Sequence, residues 1–364
     1  MKTFITTFSL LGLAFTMSAA TLVPAGQRIS AADPHIQYVG RVNFNHPESP
    51  LFTYPGVQIK AVFNGTSLRM IAKPKSGYFM AQIDGAAPFK VAFTGEKDSV
   101  VTLATALPRG QHTVELMYAI EGYQRRPEFR GFLLDEGCQL ADAPALPERK
   151  IEFVGNSITC GYGVESTDPN EHFSDETENH YYTYAAITAR NLKAQHVAVA
   201  RSGIGIYRNY GAPKAGSDDC MPRMYPYTNF LDKSQEWDFS RYQPDVVCVN
   251  LGTNDMSLNN CDPKRLLNGY RSFLRDLRGH YPKAKIVFLS GSMLHEKDLE
   301  TVKKALDTTV EEAQARGDRE VYRFDMTDQQ GDIGYGADWH PSFWQQQKMA
   351  GELTAYLRAL MKWF

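Results

Sequence analysis

Net charge, cysteine and long apolar runs are all in short supply in this chain, and each shortage excludes something. Lys plus Arg number 39 against 41 Asp plus Glu, so there is no electrostatic footprint for nucleic acid or an anionic membrane, and a neutral substrate is favoured. Five cysteines (Cys138, Cys160, Cys220, Cys248, Cys261) are too few for a disulfide scaffold and form no paired Cys-x-x-Cys metal site. At least one stays unpaired. Cys248, inside Val246-Val247-Cys248-Val249, reads as a buried small hydrophobe, while Cys160 and Cys220 fall in expected loops and are the pair open to a disulfide in an oxidising compartment. Past the N-terminus no run approaches the roughly 18 apolar residues of a membrane helix, and no Cys follows the N-terminal apolar run to carry a lipid.

That N-terminal run is the exception. Met1-Lys2, the apolar stretch Phe4 to Met17 and the exit Ser18-Ala19-Ala20 have the three parts of a secretory signal, expected to be cleaved near Ala19 or Ala20. Residues 1–20 are thus read as a signal peptide, and the mature protein as exported, either secreted or periplasmic. With 364 residues at 43% hydrophobic composition, the remainder exceeds one ordinary core and predicts two domains.

The two have different rhythms. From Ile36 to about Gly137, short alternating runs such as Val57-Gln58-Ile59-Lys60-Ala61-Val62-Phe63 and Phe79-Met80-Ala81-Gln82-Ile83 are punctuated by Asn64-Gly65, Asp84-Gly85 and Arg109-Gly110. Period-two strands with turns roughly every ten residues predict an all-β jelly-roll sandwich over residues 21–140. Asn64-Gly65-Thr66 is a glycosylation sequon by pattern, but a tight hairpin turn is the simpler reading. Residues 141–149, with two prolines and several alanines, read as a linker.

Over residues 150–364, strand-like runs at Ile151 to Val154, His196 to Ala200, Val246 to Leu251, Ile286 to Leu289 and Tyr322 to Phe324 alternate with helical stretches. The helices are expected at Tyr181 to Leu192, Pro263 to His280, Lys297 to Ala315 and Pro341 to Leu360, the last with an apolar face of Phe343, Met349, Leu353, Leu357 and Leu360. This α/β alternation predicts a flavodoxin-like parallel five-stranded sheet, helices on both faces, in the order 2-1-3-4-5. In that order the crevice opens between the ends of strands one and three.

Two motifs fall at those ends, Gly155-Asn156-Ser157-Ile158-Thr159 and Gly252-Thr253-Asn254-Asp255, and a third, Asp338-Trp339-His340-Pro341, stands at the start of the last expected helix. Together they supply the parts of an acyl-transfer site. A serine hydroxyl is a weak nucleophile at neutral pH and needs an adjacent base. His340 is the candidate base for Ser157, and Pro341 is read as the first residue of a helix whose dipole helps keep the ring neutral. Asn254 and the Ser157 N–H are candidate oxyanion donors, with Gly203 as the third and Gly205 as its rival in Ser202-Gly203-Ile204-Gly205. For Asp338, two readings stand open: the acid of a triad, or a structural residue with a backbone carbonyl orienting the ring. Trp339 is either a hydrophobic cover or a platform for a sugar face, and Tyr207, Tyr162 and Trp344 are weaker candidates for the same wall.

On these motifs the chain resembles an SGNH (GDSL-type) hydrolase and, within that superfamily, the two-domain acetyl esterases of carbohydrate esterase family 2. Ser157 matches the block I nucleophile, with Asn156 where many members have Asp; Gly203 matches the block II glycine, Asn254 the block III asparagine and His340 the block V histidine. The superfamily's Asp-x-x-His is not kept, since Ala337 stands in the acid's place. Asp-Trp-His resembles family 2, where some members use a Ser-His dyad oriented by a backbone carbonyl. The resemblance implies deacetylation of O-acetylated polysaccharide or oligosaccharide such as xylan or glucomannan, often at a sugar 6-position, without metal or cofactor. A monomer is expected. The competing readings are an SGNH esterase acting on peptidoglycan acetyl groups or lipid esters, and a non-catalytic carbohydrate-binding protein.

Overall fold

The computed structural model describes residues 26–364, so the expected signal segment lies outside the described residues. The N-terminal region consists of two antiparallel sheets packed face to face. One runs in the order Gln27–Ile29, Phe129–Leu134, Leu68–Ala72, Val100–Ala104. The other runs Leu140–Ala141, Gln58–Gly65, Gly110–Tyr118, Gly77–Ile83, Phe89–Phe93, with Gln37–Val39 also on Gln58–Gly65. Alternation decides which side chains enter the core: along Gly110–Tyr118, His112, Val114 and Leu116 are buried while Thr113 and Glu115 face outward. Phe52, Phe63, Phe79, Phe93, Phe129 and Phe132 fill the space between the sheets.

Asn64-Gly65 does not form the expected hairpin turn: both residues end the strand Gln58–Gly65, paired with Gln111 and Gly110, and the chain bends at Thr66. The strands on either side of it belong to different sheets, and the Asp135 carboxylate holds the corner by accepting from the Thr66 and Ser67 N–H groups at 2.6 and 3.1 Å.

Beyond an irregular stretch, five parallel strands form the second sheet: β1 (Lys150–Gly155), β2 (Gln195–Ala200), β3 (Val246–Asn250), β4 (Lys285–Ser290) and β5 (Val321–Asp325). Their order is β2-β1-β3-β4-β5, as the alternation predicted. Burial on both faces explains why β1 and β3 are almost wholly buried. Helices α1 (Tyr184–Asn191) and α4 (Phe343–Met361) cover one face through Ile187, Met349, Leu353 and Leu357. Helices α2 (Pro263–His280) and α3 (Glu296–Ala315) cover the other through Tyr270, Phe273, Val302 and Leu306.

Two expected helix starts are displaced. Thr183 caps α1 by accepting from Ala186 N–H, which leaves His180–Tyr182 as a separate 3-10 turn. Ser342 caps α4 by accepting from Gln345 N–H, so Pro341 lies outside the helix and instead bridges to Tyr335. A small hairpin, Tyr227–Asn229 with Asp232–Glu236, was not expected.

The two regions are joined by more than the connecting segment. Arg41 of the sandwich is completely buried against the second region, its Nη1 donating to the Tyr225 and Tyr227 carbonyls. Its guanidinium lies among the rings of Tyr54, Tyr225, Trp237 and Phe239, 4.0 Å from the buried Glu152 carboxylate of β1.

Candidate active site

Strand register brings the motifs together. Gly155, the last residue of β1, is level with Ala200 of β2 on one side and Asn250 of β3 on the other. The loops leaving those three strand ends carry Ser157, Gly203 and Asn254 at the carboxyl edge of the sheet.

Ser157 opens a one-turn helix, Ser157–Cys160. Asn156 caps it by accepting from Ile158 N–H at 3.1 Å, and Gly161 ends it at φ +91°. Gly155 has no substitute here, because a β-carbon would fall 2.0 Å from Thr159 Oγ1. Ser157 Oγ faces His340 Nε2 at 2.9 Å. The other ring nitrogen, Nδ1, is directed at the carbonyls of Ala337 (3.1 Å) and Asp338 (3.2 Å). Carbonyls only accept, so Nδ1 carries the hydrogen and Nε2 presents its lone pair to the serine. Burial holds the imidazole pKa down at about 4, with the two carbonyl contacts opposing the shift. Since α4 begins three residues after His340, desolvation and not the expected helix dipole keeps the ring neutral.

The Asp338 carboxylate, one of the two groups considered for Nδ1, is turned elsewhere. It accepts from the Tyr162 hydroxyl at 2.5 Å and Phe173 N–H at 3.2 Å and pairs with His172 Nδ1 at 2.9 Å. The cause is local backbone geometry: Asp338 and Trp339 both lie in the left-handed region, at φ +46° and +61°. That curl aims two carbonyls at the ring and swings the side chain outward, at a strain of about 1–3 kcal/mol per residue. Ala337 is buried against Gly163, whose carbonyl accepts from Ala337 N–H. Tyr162 stacks on His340, with ring centroids 3.9 Å apart and planes inclined by 18°.

Among the described residues neither the Ser157 nor the Gly203 N–H has a protein acceptor. Gly205, the alternative to Gly203, donates to Asn209 Oδ1 at 3.1 Å, and a β-carbon on it would strike the Arg208 carbonyl. Gly203 sits at φ +76° in open space, which suits a backbone that a substrate approaches closely. Asn254 Nδ2 donates to the Ile204 carbonyl at 2.8 Å, which fixes the amide and leaves its second hydrogen free. Such a set can stabilise an oxyanion beside an activated serine.

The exposed aromatics divide. Trp339 is 55% exposed beside His340, braced edge-on by Tyr335, and Trp344 stands exposed at the start of α4. Tyr207 is turned away from the placement expected for it: its hydroxyl accepts from Asp262 N–H at 2.7 Å, and it lines a separate cleft with Ser217 and Arg265. Tyr210 stands beside Gly203 instead, 66% exposed, its N–H bonded to the Gly203 carbonyl.

The sequence assigns no role to three further residues, although Asp255 ends the Gly252-Thr253-Asn254-Asp255 motif. Asp255 accepts from the Ile206, Tyr207 and Arg208 N–H groups, pinning the loop after β2, and burial raises its pKa to about 6. His172 completes the Asp338 cluster from an irregular loop. Glu121 of the sandwich lines a cleft of about 520 Å³ together with Tyr162 and Ser202. All five cysteines are free, which removes the Cys160–Cys220 pairing; Cys160 is buried beside carboxylates and not beside another thiol.

Residues 38–144 match the carbohydrate esterase 2 N-terminal family, and residues 153–347, more than half of the chain, match the GDSL-like lipase/acylhydrolase family. The chain is 38% identical over 335 residues to the cellulase/esterase CelE of Acetivibrio thermocellus, covering 91% of this chain and 40% of that protein. It therefore spans less than half the length of that relative. With an acetylxylan esterase / glucomannan deacetylase of Cellvibrio japonicus the identity is 31% over 351 residues, 94% of each chain. A solved family two carbohydrate esterase from Clostridium thermocellum in complex with cellohexaose superposes with a TM-score of 0.83 at 37% identity, covering 90% of this chain and 100% of that one.

Proposed function

We propose that this chain, which belongs to the GDSL-like lipase/acylhydrolase family and to the family 2 carbohydrate esterases, is a carboxylic ester hydrolase that releases acetate from O-acetylated plant cell-wall polysaccharides, xylan or glucomannan, 6-O-acetyl groups included. The observation that carries the chemistry is the 2.9 Å contact between Ser157 Oγ and a neutral His340 Nε2. Ser157 Oγ attacks the acetyl carbonyl while His340 takes its proton. The Ser157 and Gly203 N–H groups and the free Asn254 amide hydrogen face the oxyanion. Collapse breaks the ester bond as His340 returns the proton to the departing sugar oxygen, and water, activated by the same ring, clears the acetyl-enzyme.

The carbonyls of Ala337 and Asp338 hold the ring in place of a carboxylate. Trp339 and Tyr210, exposed on either flank, offer flat apolar faces to sugar rings. Export directed by residues 1–20 puts the enzyme where such polymers occur. The division into a sandwich over residues 21–140 and a hydrolase domain over residues 150–364 belongs to the same reading.

Acetate release from acetylated xylan, acetylated glucomannan and a long-chain aryl ester tests the substrate class, with Ser157→Ala as the blank. Release from the two polysaccharides with little action on the long-chain ester is expected. A preference for the long chain would replace this reading with a lipid esterase.

A further inference from the structure

The loop that carries Gly203 is held from below by a residue of the other region. Glu121 Oε1 accepts from Ser202 N–H at 2.6 Å, one residue before the Gly203 donor. On the downstream side the loop is tied by Tyr210 N–H to the Gly203 carbonyl and by Asp255. On the upstream side the Glu121 contact is the short one, since Arg201 N–H reaches the Gly155 carbonyl only at 3.4 Å.

Glu121 is itself firmly placed. Its N–H donates to Glu178 Oε2 at 3.0 Å, and the flanking backbone is anchored by His180 N–H on the Ala119 carbonyl and Gly122 N–H on the Thr53 carbonyl. Both carboxyl groups are buried, and they lie with Cys160 Sγ, at the end of the Ser157 helix, within 4.8 Å of one another. One small cluster thus touches the supports of the nucleophile and of the oxyanion loop.

We propose that Glu121 is a positioning residue for the esterase reaction, through which the β-sandwich fixes the Ser202–Gly203 peptide so that the Gly203 N–H points at the oxyanion. This rests on the reading of Gly203 as an oxyanion donor. Two buried carboxyl groups this close do not both ionise, so the pair keeps one proton, and Glu178, whose Oε1 has no hydrogen-bond partner, is the one that holds it. Burial raises the pKa of both, Glu178 the more strongly. The groups that face the pair are Arg201, which favours a charge on Glu121, and Asp175, Cys160, Tyr118 and Tyr162, which bring no positive charge. Loss of that proton as pH rises leaves two like charges under the loop.

The test compares wild type with Glu121→Ala, Glu121→Gln, Glu178→Gln and Ser157→Ala on an aryl acetate across pH, with thermal unfolding of each. Glu121→Ala is expected to lower kcat by about 100-fold, the scale of a small misplacement of a reacting group, with KM little changed. Glu121→Gln keeps an acceptor for Ser202 N–H and is expected to restore most of that loss. Wild-type kcat is expected to fall as pH rises and the pair loses its proton, and Glu178→Gln, whose side-chain oxygen still accepts from Glu121 N–H without titrating, to lose that fall. Wild-type kcat in Glu121→Ala, or equal losses in both Glu121 variants that follow their unfolding temperatures, would overturn the proposal. If Glu121→Ala does not fold, a high-pH fall in kcat that is unchanged in Glu178→Gln overturns it equally. Activity surviving in Ser157→Ala would instead remove the serine mechanism beneath it.

Discussion

At the scale of single residues, the site turns on how one imidazole is held. The sequence made Ser157, Asn254 and His340 legible, because their types recur where strands end and where acyl transfer needs a nucleophile, a donor and a base. It left open what faces His340 Nδ1, since that depends on the signs of φ at Asp338 and Trp339, and neither residue type prescribes a left-handed backbone. The same burial that fixes the ring sets its titration. A base must be neutral, so kcat/KM is lost as pH falls through the His340 pKa, which burial places at about 4 and not at the ordinary value near 6.5. A pH profile recorded on enzyme still folded at each pH is expected to hold its plateau through pH 6. An acid limb centred near 6.5 would contradict the desolvated ring.

At the scale of elements, the site is a product of strand order and register. Placing β1 between β2 and β3 puts the loops of Ser157, Gly203 and Asn254 side by side, and the alternation of apolar strands with helices was enough to predict that order. Loop conformation was less legible. Tyr207 and Tyr210 lie three positions apart in one loop, and only the pinning of residues 206–208 by Asp255 turns the first away and leaves the second beside Gly203. The hairpin at Tyr227–Glu236 escaped notice because its outer strand, Asp232–Glu236, is polar and largely exposed. With one Asn254 amide hydrogen spent on the Ile204 carbonyl, the side chain also braces the loop it faces. Asn254→Ala is expected to lower kcat about 100- to 1,000-fold, in line with removal of a single oxyanion donor. A loss under tenfold would remove Asn254 from that role.

At the scale of the whole molecule, the two cores meet at a buried ion pair. Arg41 follows a glycine between Val39 and Val42, and its charge gives no sign of burial in the sequence, yet it is fully buried beneath aromatic rings of the second region with Glu152 as its counter-charge. Glu152 is further held by the Tyr225 and Tyr281 hydroxyls. A buried cation at a contact between regions cannot be found from periodicity, because its burial is created by a surface hundreds of residues away in the chain. Arg41→Ala strands a buried carboxylate and is expected to cost about 3–5 kcal/mol. Denaturant unfolding should show wild type melting in one transition and the variant at a clearly lower midpoint. A change below about 1 kcal/mol would show that the pair does not join the regions.

With backbone carbonyls, not a carboxylate, facing His340 Nδ1, a serine and a histidine are proposed to suffice for the reaction. Turnover of an aryl acetate by Asp338→Asn beside Ser157→Ala tests it most directly. Near-background turnover is expected for Ser157→Ala, and a loss of less than about tenfold for Asp338→Asn, whose side chain still reaches Tyr162. A loss approaching the ~10⁴-fold seen when a triad acid is neutralised would contradict it.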